Sequence, residues 1–194
     1  MRIITGEYRG RKLETPAGYD IRPTSDKVRE SIFNLLMNDT YENVFCDLFT
    51  GTGSLGLEAL SRGAKLCYFC DKSRDSIGIA KRNIKHCGAE DRAVVLQGDF
   101  TRNLNRIREK IDVFLLDPPY GEGLYERCLE IIENLDLLAV NGIIIAEHGS
   151  HDEIPERVGK IVRVRRRRYG KTTVSIYRNE ADLTKETEES REEF

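Results

Sequence analysis

The stretch "NVFCDLFTGTGSLGLEAL" (Asn43–Leu60) decides how this chain is read. An apolar run of strand length reaches Asp47, a loop follows with glycines at 51, 53 and 56, and an apolar segment with helical spacing takes over. Glycine is needed where a backbone must turn sharply and let a ligand approach closely. Strand, glycine loop and helix in this order match the fingerprint of a nucleotide-binding βα unit. Taken alone the pattern fits NAD as readily as any other nucleotide ligand.

Working outward, the same grammar repeats. "KLCYFCD" (Lys65–Asp71), "AVVLQGD" (Ala93–Asp99), "IDVFLLD" (Ile111–Asp117) and "GIIIAEH" (Gly142–His148) are near-continuously apolar, as strands covered on both faces must be. Between them Ser73–Gly88, Thr101–Lys110 and Tyr125–Gly142 carry helical spacing, and two of these end at glycine. The alternation predicts an α/β chain with a Rossmann-like, doubly wound, mainly parallel sheet. Two last strands, around Lys160–Gly170 and Thr172–Arg178, predict a C-terminal antiparallel hairpin. The first residues alternate and are broken by glycine and proline, which predicts a small N-terminal β-hairpin extension over residues 1–23. Its plainest role is a lid over the sheet edge. Thr24 or Ser25 is the expected cap of a following helix whose apolar stripe is Val28, Ile32, Leu35 and Leu36. The expected organisation is thus residues 1–23, a catalytic domain over 24–179, and an acidic tail over 180–194.

Composition bounds the rest. A chain of 194 residues with 39% hydrophobic and 33% charged residues reads as one globular domain with a sizeable core. No apolar run approaches the roughly 20 residues of a membrane helix, and Met1–Ile4 lacks a secretory signal, so the cytoplasm is the expected location. Net charge is −2 but unevenly spread: eight basic residues and no acid lie between Arg157 and Lys171, whereas seven acids and two bases follow from Glu180. The tail reads as solvated. Cys67 and Cys70 form a CxxC on a predicted strand, where residues three apart face opposite ways, so they are read as small core residues. His86, His148 and His151 show no metal-ligand spacing, and no metal is expected.

Three acids end successive strands: Asp47, Asp71 and Asp99. Parallel strands deliver those ends to one crevice. Asp47, four residues before Gly51, suits a cationic ligand and suits a pyrophosphate poorly. Asp71, 20 residues after Gly51, stands where an acceptor meets ribose hydroxyls. A fourth strand leaves through Asp117-Pro118-Pro119-Tyr120. A carboxylate and a carbonyl whose direction proline fixes can accept both hydrogens of an exocyclic amine, and Tyr120 offers a ring on which a base stacks, worth about 1–3 kcal/mol.

Asp47-x-x-x-Gly51-x-Gly53 resembles motif I of S-adenosylmethionine-dependent methyltransferases, in which the acid serves the methionine ammonium end. Asp99 resembles the residue that meets the adenine amino group, with Thr50, Lys72 and Phe100 beside it in the same crevice. Asp117–Tyr120 is similar to motif IV of amino methyltransferases. Together with "GEYRGRKLETP", "RPTSDKVRESIFN", "DLFTGTGSLGLEALSRGA" and "RRYGKTTVSIY", these motifs look like the bacterial 16S ribosomal RNA guanine-N2 methyltransferase family, the RsmD type, from Arg2 to about Tyr177. That resemblance implies methyl transfer from S-adenosylmethionine to guanine N2 at position 966 of 16S RNA; naked RNA and a small-subunit assembly particle both stand as substrates, and a monomer is the default state. Thr50 stands where alanine is more usual, and the acidic tail has no family counterpart.

RNA requires positive charge. Arg9, Arg11, Lys12 and Arg22 near the N-terminus, and Arg165 and Arg167 in the basic run, are the candidates, the latter on a strand expected to show its basic side chains on one open face. Charged edge strands also resist aggregation. Rival readings are a DNA adenine-N6 or cytosine-N4 methyltransferase, for whose target-recognition region the chain leaves little room, and a non-catalytic RNA-binding module. A glutamine methyltransferase would favour asparagine at Asp117. An NAD-dependent dehydrogenase would need a hydride-handling group that "DPPY" does not supply.

Overall fold

The computed structural model describes residues 1–16, 26–36, 39–119 and 122–183; Arg22, the Thr24/Ser25 cap, Tyr120 and the tail beyond Leu183 lie outside the described residues. Helix α1 (Asp26–Leu36) precedes β1 (Val44–Asp47), α2 (Ser54–Ser61), β2 (Leu66–Asp71), α3 (Arg74–Cys87), β3 (Ala93–Gln97), α4 (Phe100–Leu104), β4 (Ile111–Leu116) and α5 (Leu124–Asn134). β5 (Leu138–Gly149), β6 (Arg157–Val158), β7 (Ile161–Tyr169) and β8 (Thr172–Asn179) complete the chain. The eight strands form one sheet in the order β3-β2-β1-β4-β5-β8-β7-β6. β1 through β5 pair in parallel, and β8, β7 and β6 extend the sheet antiparallel. The expected class and the C-terminal hairpin are both present.

Strand alternation divides the core in two. Phe45, Phe69, Val113, Leu115 and Ile145 face α1 and α2. Cys46, Cys70, Phe114, Leu116 and Ile144 face α5, which buries Cys128, Leu129 and Ile132. Cys67 and Cys70 therefore sit in opposite cores, and all five cysteines are free and buried.

Three boundaries differ from the sequence reading. α4 stops at Leu104 instead of running to Lys110. Asn103 turns its amide onto the Leu96 and Gly98 carbonyls ahead of the helix, and Asn105 adds its amide to the Thr101 carbonyl that its backbone N–H already meets at 3.2 Å, local side-chain bonds that accompany the short helix. α5 ends at Asn134, and the segment expected to stay helical to Gly142 enters β5 at Leu138. Asp136 and Asn141 take positive φ (49° and 60°), the left-handed region that asparagine and aspartate tolerate. The tail also begins later than expected. Glu180 pairs with Arg157, and the buried Asp182 accepts the Asn141 N–H at 2.9 Å, so residues 180–183 belong to the fold.

The N-terminal segment does pair with itself, through an Arg2–Lys12 bridge and an Ile3 N–H to Arg11 carbonyl bond of 3.0 Å. It is no loose appendage: Ile3, Tyr8 and Leu13 are buried in the α1–α2 core. A side chain at Gly6 would put its Cβ 1.8 Å from the Ser61 carbonyl oxygen, so only glycine allows this approach. The anchor is ionic. Glu58 of α2, 0% exposed, accepts the Ile4 and Thr5 N–H groups at 2.8 and 3.0 Å and the Arg62 Nε at 2.9 Å. Arg29 of α1, also fully buried, lies 3.8 Å from the same carboxylate and donates to the Arg2 carbonyl and to Asp26.

Removing one partner of a buried pair strands the other, at a cost of about 3–5 kcal/mol. Glu58→Ala should lower the unfolding free energy by that amount, read as a lower urea midpoint at unchanged slope, and the Ile4 and Thr5 amides should exchange with solvent faster. An unmoved midpoint would dismiss this network as the anchor of the N-terminal loop.

Candidate active site

The winding reverses between β1 and β4, and in open α/β sheets ligands bind outside the strand ends at such a switch point. A cavity of about 550 Å³ opens there. Four acids at or beneath it share one geometric origin. Asp47, Asp71, Asp117 and Glu147 each lie two residues beyond a core residue of the α1–α2 face, namely Phe45, Phe69, Leu115 and Ile145. Period-two alternation thus turns all four toward the same side of the sheet.

Asp47 forms the base of the glycine loop. It is 1% exposed, and one carboxylate oxygen accepts the Thr50 hydroxyl at 2.9 Å and the Gly56 N–H at 3.1 Å. It does not line the cavity, whereas Thr50, Gly51 and Thr52 do. Gly53 is the left-handed N-cap of α2 and is likewise outside the lining. At Gly56 a Cβ would meet Phe69 Cε1 at 2.4 Å, so glycine here lets α2 close onto β2. The loop is tied from the other side by Asp71, which accepts the Gly51 N–H at 2.9 Å and the Ser73 N–H at 2.8 Å. Asp71 faces the cavity, and each of its oxygens keeps a further lone pair for a ligand hydroxyl.

Lys72, Asp99 and Phe100 also line the cavity. Asp99 caps α4 through the Thr101 N–H at 2.9 Å, so its capping and lining roles coexist. Phe100 meets Phe49 at 5.8 Å between ring centroids, and both rings and Ile79 line the cavity together with Asp71 and Asp99. An apolar lining combined with carboxylate acceptors fits a nucleoside with ribose hydroxyls and an amino-bearing base. Among the described residues no group of three or more His, Cys, Asp or Glu side chains could hold a metal ion.

On the far wall stand Asp117, Pro118 and Pro119. Tyr120 lies outside the described residues. Two acids of the same cavity were not singled out from sequence: Glu122, which is exposed, and Glu147, which is 4% exposed. The signal for Glu147 was available, since "GIIIAEH" ends an apolar strand in a carboxylate just as "IDVFLLD" does.

The basic candidates divide. Arg9 and Lys12 are exposed on the N-terminal loop. Arg11, also exposed, donates to the His86 carbonyl at 3.0 Å and sits 5.2 Å over the Tyr8 ring. Arg165 and Arg167 pair with Ile176 and Val174, which belong to the α1–α2 core, so they share a side of the sheet with the N-terminal loop. The expectation of a single open basic face is corrected: Arg166 and Arg168 point to the other side, because four consecutive arginines must alternate. Beyond Val162 no described strand covers the outer edge of β7.

A mainly parallel sheet in the order 3-2-1-4-5, extended by an antiparallel hairpin and carrying a glycine loop at its switch point, is the class I methyltransferase fold. Residues 1–178 match the family described as conserved hypothetical protein 95. The chain is 40% identical to YlbH of Bacillus subtilis over 92% of this chain and 98% of that protein. It is 31% identical to ribosomal RNA small subunit methyltransferase D of Escherichia coli over 93% and 91% of the two chains. The solved structure of yhhF from Escherichia coli superposes with a TM-score of 0.84 at 30% identity, covering 93% of this chain and 98% of that one. The chain belongs to the conserved hypothetical protein 95 family, the RsmD type.

Burial pushes the Asp47 carboxyl up to about 7, against the downward pull of its Thr50 and Gly56 hydrogen bonds. A raised folded-state value means that the native protein holds this proton longer than the unfolded chain, whose aspartates titrate near about 3.9. Native stability therefore falls as pH climbs from about 4 to about 7 and levels off above. Measured against Asp47→Asn, which cannot ionise, the wild type should lose about 2 kcal/mol between pH 5 and 7 in urea unfolding. A difference independent of pH would show the carboxyl at its ordinary value.

Proposed function

We propose that this chain transfers a methyl group from S-adenosylmethionine to the exocyclic N2 of a guanine in 16S ribosomal RNA, at position 966 as the family resemblance implies. Relatives named ribosomal RNA small subunit methyltransferase D support an RNA substrate. The observation that supports the chemistry is that Asp117 and Pro118 line the same cavity as Gly51, Thr52 and Asp71.

In this reading Asp71 takes the ribose hydroxyls, Asp99 the adenine amino group, Phe49 and Phe100 the adenine face, and Thr50 with Gly51 the methionine end near the Asp47 base. Lys72, exposed at the same rim, meets the polar edge of that ligand. S-adenosylmethionine, when bound, supplies a methyl group already reactive enough to need no metal. The protein's work is orientation and proton handling. An aromatic amine delocalises its lone pair into the ring and is a weak nucleophile. Asp117 and the Pro118 carbonyl accept the two N–H groups, Pro119 fixes the carbonyl's direction, and Tyr120 stacks on the base. As N2 forms its bond to carbon and becomes cationic, both acceptors bind more strongly, which is where rate enhancement must come from. The surplus N2 proton leaves toward the Asp117 carboxylate.

RNA approach is assigned to Arg9, Arg11, Lys12 and Arg22 at residues 1–23 and to Arg165 and Arg167 on β7. The N-terminal loop and these two arginines share the sheet side onto which the strand-end acids turn. Guanine N2 is hard to reach in a stack, so the base is presented single-stranded or flipped. A cytoplasmic monomer acting on naked RNA or an assembly particle completes the proposal.

Labelled S-adenosylmethionine should place N2-methylguanine in 16S RNA or a small-subunit particle, identified after nuclease digestion. Asp117→Ala should lower kcat by about 10²–10³-fold while S-adenosylhomocysteine and RNA still bind. The double variant Arg165→Ala, Arg167→Ala should weaken RNA binding and reduce its salt slope by about 2. Label entering DNA in place of RNA would overturn the reading.

A further inference from the structure

Of the cavity's acids to which the chemistry above gives no role, Glu147 is the buried one. We propose that it is a specificity-determining residue, its carboxylate accepting the N1–H of the target guanine while Asp117 and the Pro118 carbonyl hold the 2-amino group. The inference rests on the guanine-N2 reading and refines it.

The placement is specific. β4 and β5 run parallel with Leu116 opposite Ala146, so Asp117 and Glu147 leave adjacent strands at the same height. Alternation turns both to the same side, and both line the cavity. Unlike Asp117, which stands in an irregular exit, Glu147 lies within an interior strand, opposite Val174 of β8. Its carbonyl accepts the Tyr125 hydroxyl at 2.6 Å. Its neighbour His148 is fully buried, with the ring held between the Gly149 carbonyl and the Ser175 hydroxyl at 2.9 and 3.0 Å. Burial lowers the His148 pKa, which keeps that ring neutral and its two bonds fixed. The Glu147 backbone is thus held on both strand neighbours and at its carbonyl, so its side chain starts toward the cavity from a fixed point of β5.

What that place can read follows from the edges of the bases. Guanine carries N1–H directly beside its 2-amino group, an unbroken row of donors. Adenine has the N1 lone pair beside its amino group, and cytosine has the N3 lone pair. In this proposal Asp117, the Pro118 carbonyl and Glu147 act as an unbroken row of acceptors. Guanine satisfies it. Adenine and cytosine would point a lone pair at Glu147 and leave a buried carboxylate facing an acceptor. A site built to receive an N–H rejects an analogue lacking it by as much as about 10⁴–10⁵-fold, far beyond what shape alone achieves. The same wall that grips any exocyclic amine therefore accepts only guanine's.

The test replaces the target guanine of a methylated substrate RNA with 2-aminopurine, which keeps the 2-amino group and carries a lone pair at N1. Wild-type enzyme should methylate this RNA at least about 10³-fold less efficiently in kcat/KM than guanine RNA. Glu147→Gln, whose amide can turn an N–H toward that lone pair, should lose activity on guanine and narrow the guanine to 2-aminopurine ratio by about 10²-fold or more. Its S-adenosylhomocysteine affinity should match wild type, which reports an intact fold. A wild-type enzyme that uses both RNAs within tenfold would overturn the inference, whether or not the variant folds. So would a Glu147→Gln enzyme slowed equally on both. If the wild type places no methyl on guanine N2 in any RNA, it is the underlying reading that fails, not the assignment of Glu147 alone.

Discussion

The constraint on which this molecule depends is the period of two along a buried strand. Phe45, Phe69, Leu115 and Ile145 must face the α1–α2 core, because each would otherwise expose an aromatic or branched side chain. Once they do, the residue two places on is committed to the same side at the sheet's upper edge. In all four strands that residue is an acid. A hydrophobic requirement deep in the sheet thereby sets four acids on one side, three of them lining the crevice and Asp47 beneath its glycine loop. A slip of one residue in any of these strands would send its acid to the α5 side instead.

The acids do not behave alike, because their depth differs. Asp47 ends a strand whose four residues are all buried, and its carboxylate is consumed by Thr50 and Gly56. It holds the loop that holds the ligand. Asp71, one strand outward, divides itself between the loop backbone and the cavity. Asp117 escapes the ladder because two prolines cannot donate to it. The same residue type at the same topological position thus serves as support, as shared support and ligand group, and as reactive wall.

Much of this was legible. Continuous apolar runs ending in acids gave the sheet, its parallel sense and the crevice, and the Asp-Pro-Pro-Tyr exit marked the chemistry. What the pattern hid was of three kinds. Leu137-Leu138-Ala139 keep helical spacing after α5, and only the positive φ of Asp136 and Asn141 reveals that the chain has turned into a strand. The early end of α4 is accompanied by Asn103 and Asn105 side-chain bonds that no periodicity records. Arg29 and Glu58 are charged residue types that composition assigns to solvent, yet both are fully buried, Arg29 on the Ile32–Phe33–Leu36 face of α1, so the docking of the N-terminal loop was not read from apolar periodicity. Glu147 was different: its signal was on the page, masked by neighbouring histidines and glycine that read as a strand end.

A pocket lined by acids is a poor place for a polyanion, and the chain resolves this by separating the two along the sheet. Carboxylates gather at the ends of β1, β2, β4 and β5, while β7, carried outward past β8, holds the exposed arginines. Within the crevice the acids face what they suit: hydroxyls, amines and a developing cation. Outside, phosphates would meet Arg165 and Arg167 on the same side of the sheet as the N-terminal loop. Surface charges more than a Debye length of about 8 Å apart are largely screened from one another, so the arginines can attract a backbone without neutralising the acids that must act on its base. The net charge of −2 conceals this arrangement, because it sums two regions that physics keeps apart.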